Sequence, residues 1–194
     1  TEIRYDAAGR IVAVFLPDST PDDLTDNLRR EAFFDARGLR SRISDPMNGI
    51  IDYSYDLNRN LVSTSFADGT STGQEFDILG RRISEIDQNG VVTRFEYDAL
   101  SRLVAVVQTL DTPNASQPKT VYGYDEQSNF TSQTDARGNT TRYHFDLLSR
   151  RVGTTMPLGQ LSSTVYDSVG NVLSETNFNG ERIDFTYDAL NRLT

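Results

Sequence analysis

The stretch Phe76-Asp77-Ile78-Leu79-Gly80-Arg81-Arg82-Ile83-Ser84-Glu85-Ile86-Asp87-Gln88-Asn89-Gly90-Val91-Val92-Thr93-Arg94-Phe95-Glu96-Tyr97-Asp98 decides the fold. Phe76 to Arg81 reads as a turn: an Asp side chain bonds forward to backbone N–H groups, and Gly takes positive φ without a steric penalty. The following segment alternates towards Ile83 and Ile86, as a half-buried strand does. Asp87-Gln88-Asn89-Gly90 is a second turn, with Asn-Gly a strong hairpin signal. Val91 to Tyr97 is a return strand rich in β-branched and aromatic residues, placing Phe95 and Tyr97 on one face. Asp98 then opens the next turn, so the unit is a β-hairpin.

Working outward, the aromatic–Asp pair recurs nine times: Tyr5-Asp6, Phe34-Asp35, Tyr55-Asp56, Phe76-Asp77, Tyr97-Asp98, Tyr124-Asp125, Phe145-Asp146, Tyr166-Asp167 and Tyr187-Asp188. Six of the eight intervals are 21 residues, and the others are 29 and 27. A fixed period of this length marks a repeat array, in which no unit buries its apolar face alone. Residues 1–194 therefore read as one continuous array of about eight units. The excess of the two long units falls near 17–24 and 111–118, at hairpin tips rich in Pro and polar residues, either as tolerated loop growth or as partner contacts. Second turns recur at Asp45-Pro46-Met47-Asn48-Gly49, Asp68-Gly69, Asp135-Ala136-Arg137-Gly138, Pro157-Leu158-Gly159 and Asn177-Phe178-Asn179-Gly180. A small or turn-forming residue follows each motif Asp at Gly9, Gly38, Gly80, Ser101, Ser128, Ser149, Gly170 and Asn191, with Arg59 the departure. About sixteen strands are expected, and an open sheet of more than about 10 tends to curl, so the expected architecture is an all-β antiparallel meander that coils.

Composition excludes several functions. The net charge of −9 and pI near 4.6 argue against a nucleic-acid surface, which needs clustered basic charge. Of nineteen basic residues only Lys119 is not Arg, a bias that suits carboxylate pairing or stacking on aromatics, with plain solvation the alternative. Without Cys there is no disulfide, thiolate metal site or cysteine nucleophile. No apolar run is long enough for a membrane-spanning helix, and membrane insertion by this segment is not expected. Both termini fall in mid-unit, as expected of a piece of a longer array.

Candidate chemistry is sparse. His144 is the only histidine and is read as a packed or surface residue, since catalysis needs positioned partners. Most carboxylates have turn positions that explain them, so catalytic residues, cofactor sites and metal sites are all expected to be none. Asp87-Gln88-Asn89-Gly90 has a faint look of a calcium loop but lacks the distal bidentate Glu. Three glycosylation sequons begin at Asn114, Asn129 and Asn139 and are assigned no function. The eighteen motif residues have two readings. In one, the ring packs between layers while Asp closes the turn and pairs with an Arg such as Arg102 or Arg192; in the other, exposed rings stack sugars.

Tyr97-Asp98-Ala99-Leu100-Ser101-Arg102-Leu103 and Tyr187-Asp188-Ala189-Leu190-Asn191-Arg192-Leu193 resemble the signature of Rhs or YD repeats, and the resemblance covers the whole chain. It implies a β-sheet spiralling into part of a hollow shell or barrel. In bacterial polymorphic toxins and insecticidal toxin complexes such a shell encloses a cytotoxic C-terminal segment; in teneurins a related barrel serves adhesion. The implied partners are flanking repeats and an enclosed toxin segment of the parent chain, with secretion or cell-surface display. The alternative role is a glycan- or receptor-binding adhesive module. Self-association through unpaired sheet edges is expected of the isolated segment. Self-cleaving members end their repeats with an aspartyl-protease-like motif around Asp-Pro-x-Gly-Leu. Asp45-Pro46-Met47-Asn48-Gly49-Ile50 is similar only superficially and is read as a turn.

Overall fold

The computed structural model describes residues 2–15, 28–109 and 117–194. Nearly all of both sequence insertions, residues 17–24 and 111–116, lies outside the described residues. The described residues form an all-β antiparallel meander of seventeen strands, one more than the periodicity suggests. The first nine are β1 (Glu2–Tyr5), β2 (Ile11–Phe15), β3 (Arg29–Phe34), β4 (Arg40–Asp45), β5 (Gly49–Tyr55), β6 (Leu61–Ser65), β7 (Ser71–Phe76), β8 (Arg82–Ile86) and β9 (Val92–Tyr97). Then come β10 (Leu103–Thr109), β11 (Lys119–Tyr124), β12 (Phe130–Thr134), β13 (Thr140–Phe145), β14 (Arg151–Thr155), β15 (Leu161–Tyr166), β16 (Val172–Thr176) and β17 (Arg182–Asp184). The chain divides into two compact units, Thr1–Arg94 and Phe95–Thr194.

The turns explain the regularity. Every motif aromatic from Tyr5 to Tyr166 is the last residue of its strand, and the Asp after it opens a three-residue loop. In the first loop Gly9 N–H donates to Asp6 O at 3.0 Å and Asp6 N–H donates to Arg10 O at 2.9 Å; the same pair of bonds closes all nine. The third loop residue has positive φ at each of them, Arg59 (71°) included. That geometry is a G1-type bulge, and the strand register shifts at the motif aromatic in each pair from β1–β2 to β15–β16 whose register shows it, for example between Ser54 and Tyr55. Asn-Gly at residues 89–90 suggests a two-residue hairpin turn, but the opposite rim uses the same loop. Gly69, Gly90, Gly138, Gly159 and Gly180 all have positive φ and donate back three residues, Gly90 to Asp87 for instance. The Asn is one residue too early to be the turn's positive-φ position.

Few side chains are fully covered. Among the described residues the buried apolar ones are Ala13, Phe15 and Ala105, with Thr64, Ser84, Ser174 and Asp45 as buried polar ones. In β8, where the sequence alternates towards Ile83 and Ile86, those residues are 37% and 40% exposed, and Ser84 is the covered one at 7%. Ser84 lies opposite Glu75 and Arg94 on the neighbouring strands and shares its face with Arg82 and Ile86, so its short side chain is recessed among longer ones, while Ile83 belongs to the other face. In the second unit, Phe130 carries a local cluster, its ring 5.9 Å from Tyr122, 5.7 Å from Tyr124 and 5.1 Å from Tyr143.

Two neighbouring glycines separate backbone demand from space. Gly69 has φ +85° with open space where a Cβ would stand, while Gly73 lies within β7 with Ile86 side-chain atoms at 3.8 Å. Gly69→Ala should destabilise by about 1 kcal/mol through the left-handed backbone alone. Gly73→Ala should stabilise by about 0.5 kcal/mol by reducing unfolded-chain freedom and adding contact. Urea unfolding of both variants checks this, and shifts of the same sign would contradict it.

Candidate functional site: the turn joint

The chemistry-bearing residues converge on the motif turns. Asp98 Oδ1 accepts from the backbone N–H groups of Leu100 and Arg102, both at 2.9 Å, and Oδ2 accepts from Arg102 Nε at 2.7 Å. The same arrangement recurs at Asp6–Arg10, Asp77–Arg81, Asp146–Arg150 and Asp188–Arg192. Where the fourth residue after Asp is Asn, its Nδ2 replaces the guanidinium: Asn60 to Asp56, Asn129 to Asp125 and Asn171 to Asp167, at 2.8 to 2.9 Å. At Asp35 that place is Leu39, and Arg37 Nε supplies the side-chain donor instead.

These donors hold all nine motif carboxyls below the ordinary Asp range. At Asp6, Asp56 and Asp125 the largest influence is the side-chain donor, Arg10, Asn60 and Asn129 respectively. At Asp35, Asp98 and Asp188 it is the backbone N–H of Leu39, Arg102 and Arg192. At Asp77, Asp146 and Asp167 burial is the largest influence and pushes upward, and the hydrogen bonds together outweigh it.

The Arg of one turn also reaches the next repeat. The Arg102 guanidinium lies 4.7 Å from the Tyr124 ring centroid, and its Nη1 donates to Asp125 O at 3.0 Å. Tyr124 Oη donates back to Leu103 O at 3.0 Å. Arg150 repeats this on Tyr166 at 4.6 Å and Asp167 O at 3.0 Å, and Arg10 lies 4.2 Å from the Phe34 centroid. One guanidinium thus touches its own turn, the following turn and the following aromatic ring. Phe34, Tyr124 and Tyr166 thus each lie against the Arg of the preceding repeat.

Other sequence candidates are placed apart from this joint. His144 is exposed on β13, with Nε2 2.8 Å from Thr155 Oγ1. Asp87 Oδ1 accepts from Asn89 and Val91 N–H, so that carboxylate closes its own turn. Asp45-Pro46-Met47-Asn48 forms the tip between β4 and β5, where buried Asp45 accepts from Met47 N–H, Asn48 N–H and Arg30 Nε. The sequon amides of Asn129 and Asn139 donate to Asp125 and Asp135. Among the described residues there is no cluster of three or more His, Cys, Asp or Glu that could hold a metal ion. Two partners escape sequence reasoning: the Arg30–Asp45 pair, fifteen residues apart, and the Tyr hydroxyl bond across repeats.

The fold and this joint define an array of β-hairpin repeats linked turn to turn. Sequence comparison gives the particular family: the RHS repeat description matches residues 76–113, 124–161 and 166–194, more than half of the chain. The chain belongs to the RHS repeat family. No curated protein matches it in sequence. Among solved structures, the TcdB2–TccC3–Cdc42 crystal structure is similar over 98% of this chain and 14% of that chain, at 17% identity and a TM-score of 0.49. The Photorhabdus luminescens Tc holotoxin pore with a TccC3 mutation matches over 97% and 13%, at 18% identity and a TM-score of 0.48. This chain spans only that small share of their length.

Two outcomes test the joint. A double-mutant cycle of Arg102→Ala and Tyr124→Leu should give a coupling of about 0.5–1 kcal/mol, and Arg102→Lys should lose most of it because a compact ammonium cannot bond Asp98 while lying over the ring. Additive effects would show that the two side chains do not interact. For pH, the motif carboxyls bind protons less readily in the folded chain than in the unfolded one. Their stabilisation is complete above the ordinary Asp pKa of about 4 and is lost as pH falls through the depressed folded values. The urea midpoint should hold steady from neutral pH to about 5 and drop below about 4; a midpoint unchanged at strongly acid pH would contradict the assignment.

Proposed function

We propose that this chain is a structural segment of a secreted toxin shell, whose repeats wall in a toxic segment of the parent chain and perform no chemistry themselves. The observation that carries this reading is the turn joint: nine motif turns close alike, and Arg10, Arg102 and Arg150 each lie over the motif ring of the next repeat. Carboxylates, guanidinia and aromatic faces, the groups that catalysis or sugar stacking would use, are engaged in holding one repeat to the next. Membership of the RHS repeat family supports the same role. The partners are then flanking repeats and the enclosed segment, and the location is outside the producing cell. Half-covered motif rings with an Arg over one face weigh against a glycan-stacking ladder.

Limited proteolysis of the native parent, with mass spectrometry of everything that stays associated, tests the proposal. A C-terminal fragment that is severed, retained and protease-resistant is expected. A repeat region with nothing protected inside, binding glycan or receptor instead, would replace this reading with an adhesive one.

A further inference from the structure

Three of the described asparagines stand before glycine at second turns of their hairpins: Asn48-Gly49 between β4 and β5, Asn89-Gly90 between β8 and β9, and Asn179-Gly180 between β16 and β17. All three asparagines are exposed, and their side-chain amides make no hydrogen bond among the described residues. Asn60, Asn129, Asn139 and Asn171 differ in both respects. Each gives its Nδ2 to the Asp four residues back, and Leu, Phe, Thr and Val respectively follow them.

We propose that Asn89 and Asn179 are sites of spontaneous deamidation in the folded chain, and that the fold protects Asn48. The chemistry needs only water. The backbone nitrogen of Gly90 attacks Cγ of Asn89 and an N–Cγ bond forms. The Gly90 N–H proton passes to solvent, the Cγ–Nδ2 bond breaks, and the amide nitrogen leaves as ammonia with a proton from solvent. The five-membered imide then opens with one water at either carbonyl. Opening at Cγ leaves aspartate; opening at the main-chain carbonyl leaves isoaspartate, with the main chain running through Cβ and Cγ. Glycine favours the attack because no Cβ shields its nitrogen and its backbone turns freely.

What the fold adds is a difference between the tips. Gly90 and Gly180 have open space where a Cβ would stand, and one turn bond holds each nitrogen, to Asp87 O and to Asn177 O, both at 3.0 Å. Gly49 is instead the first residue of β5, in register with Asp45, and the Ala67 side chain fills the space over it. Asp45 pins that tip further, buried and accepting from Met47 N–H, Asn48 N–H and Arg30 Nε. Each conversion adds a negative charge to a chain already at −9, and isoaspartate also lengthens the main chain of a short loop by one methylene. The inference stands apart from the shell reading, because it concerns the chemistry of this chain's own turns.

Prolonged incubation of the chain at mildly alkaline pH, followed by peptide mass spectrometry that separates aspartate from isoaspartate, tests the proposal. Asn89 and Asn179 should convert at least about tenfold faster than Asn48 in the folded chain, because a site held by the fold reacts only through local opening. In urea, where all three tips are free, the three rates should agree within about threefold. Ala67→Gly, which clears the space over Gly49, should speed Asn48 towards the other two, with an unchanged far-UV spectrum certifying the fold. Asn89 and Asn179 that stay amides for as long as Asn129 and Asn139 overturn the proposal. So does an Asn48 that keeps pace with them in the folded chain, since the dipeptide alone would then explain all three.

Discussion

The motif Asp carboxylate is the interaction on which everything else depends. A hairpin tip leaves backbone N–H groups without ladder partners, and one carboxylate oxygen takes two of them while the other takes a side-chain donor. That closure fixes the loop length, the loop length places a positive-φ residue third, and the resulting bulge shifts the strand register at the aromatic. Because Arg102 is held by its own Asp through Nε, its remaining nitrogens and its flat face stay directed at the next repeat. The turn bond and the joint between repeats are therefore one device.

Magnitudes show why the device must be repeated. Apolar burial is thin, with three apolar side chains buried among the described residues. An exposed ion pair contributes about 0–1 kcal/mol and an exposed cation–π contact about 0.5–1. None of these would hold an isolated hairpin, which is marginal at best in water. Summed over neighbouring units they give a structure whose stability grows with the array and whose repeats depend on adjacent repeats. Lys119 pairs with Glu96 at 2.9 Å outside the turn positions, where a point charge suffices. The joint needs a planar fork with an apolar face, which Arg supplies and Lys does not.

The period, the hairpin unit and the role of Asp were legible in the sequence because each rests on local chemistry. Asp bonds forward over two to four residues, and positive φ selects Gly, Asn or Ser, so both leave marks at fixed spacing. Arg59 shows the limit of that signal: its φ of 71° is imposed by the loop on a residue with no preference for it. Alternation did not show which side chain lies deepest. Ile83 and Ile86 carry the apolar signal, but the recessed place falls to Ser84, because depth here is set by neighbouring side-chain length rather than by a covering layer. The joint itself was only half visible. The Asp98–Arg102 pair lies within one unit, whereas Arg102 over Tyr124 spans 22 residues and depends on the register that brings consecutive turns side by side.

The residues the turn does not use are informative for the same reason. Asp, the positive-φ residue and the Arg or Asn donor account for most of the bonds that close the loop; the side chains of the two residues between enter at Arg37, which donates to Asp35, and at Gln127, which accepts from Asn129. The Asp125 turn closes as well with Glu126 and Gln127 there as the Asp146 turn does with Leu147 and Leu148. Aliphatic character at those places therefore has no cause inside the turn. Exposing Leu147 at 91% leaves its apolar surface in water, where burial of a Leu side chain would gain about 1.5–3 kcal/mol. A fold that closes its tips equally well with charged residues gains no turn stability from leucine at those places.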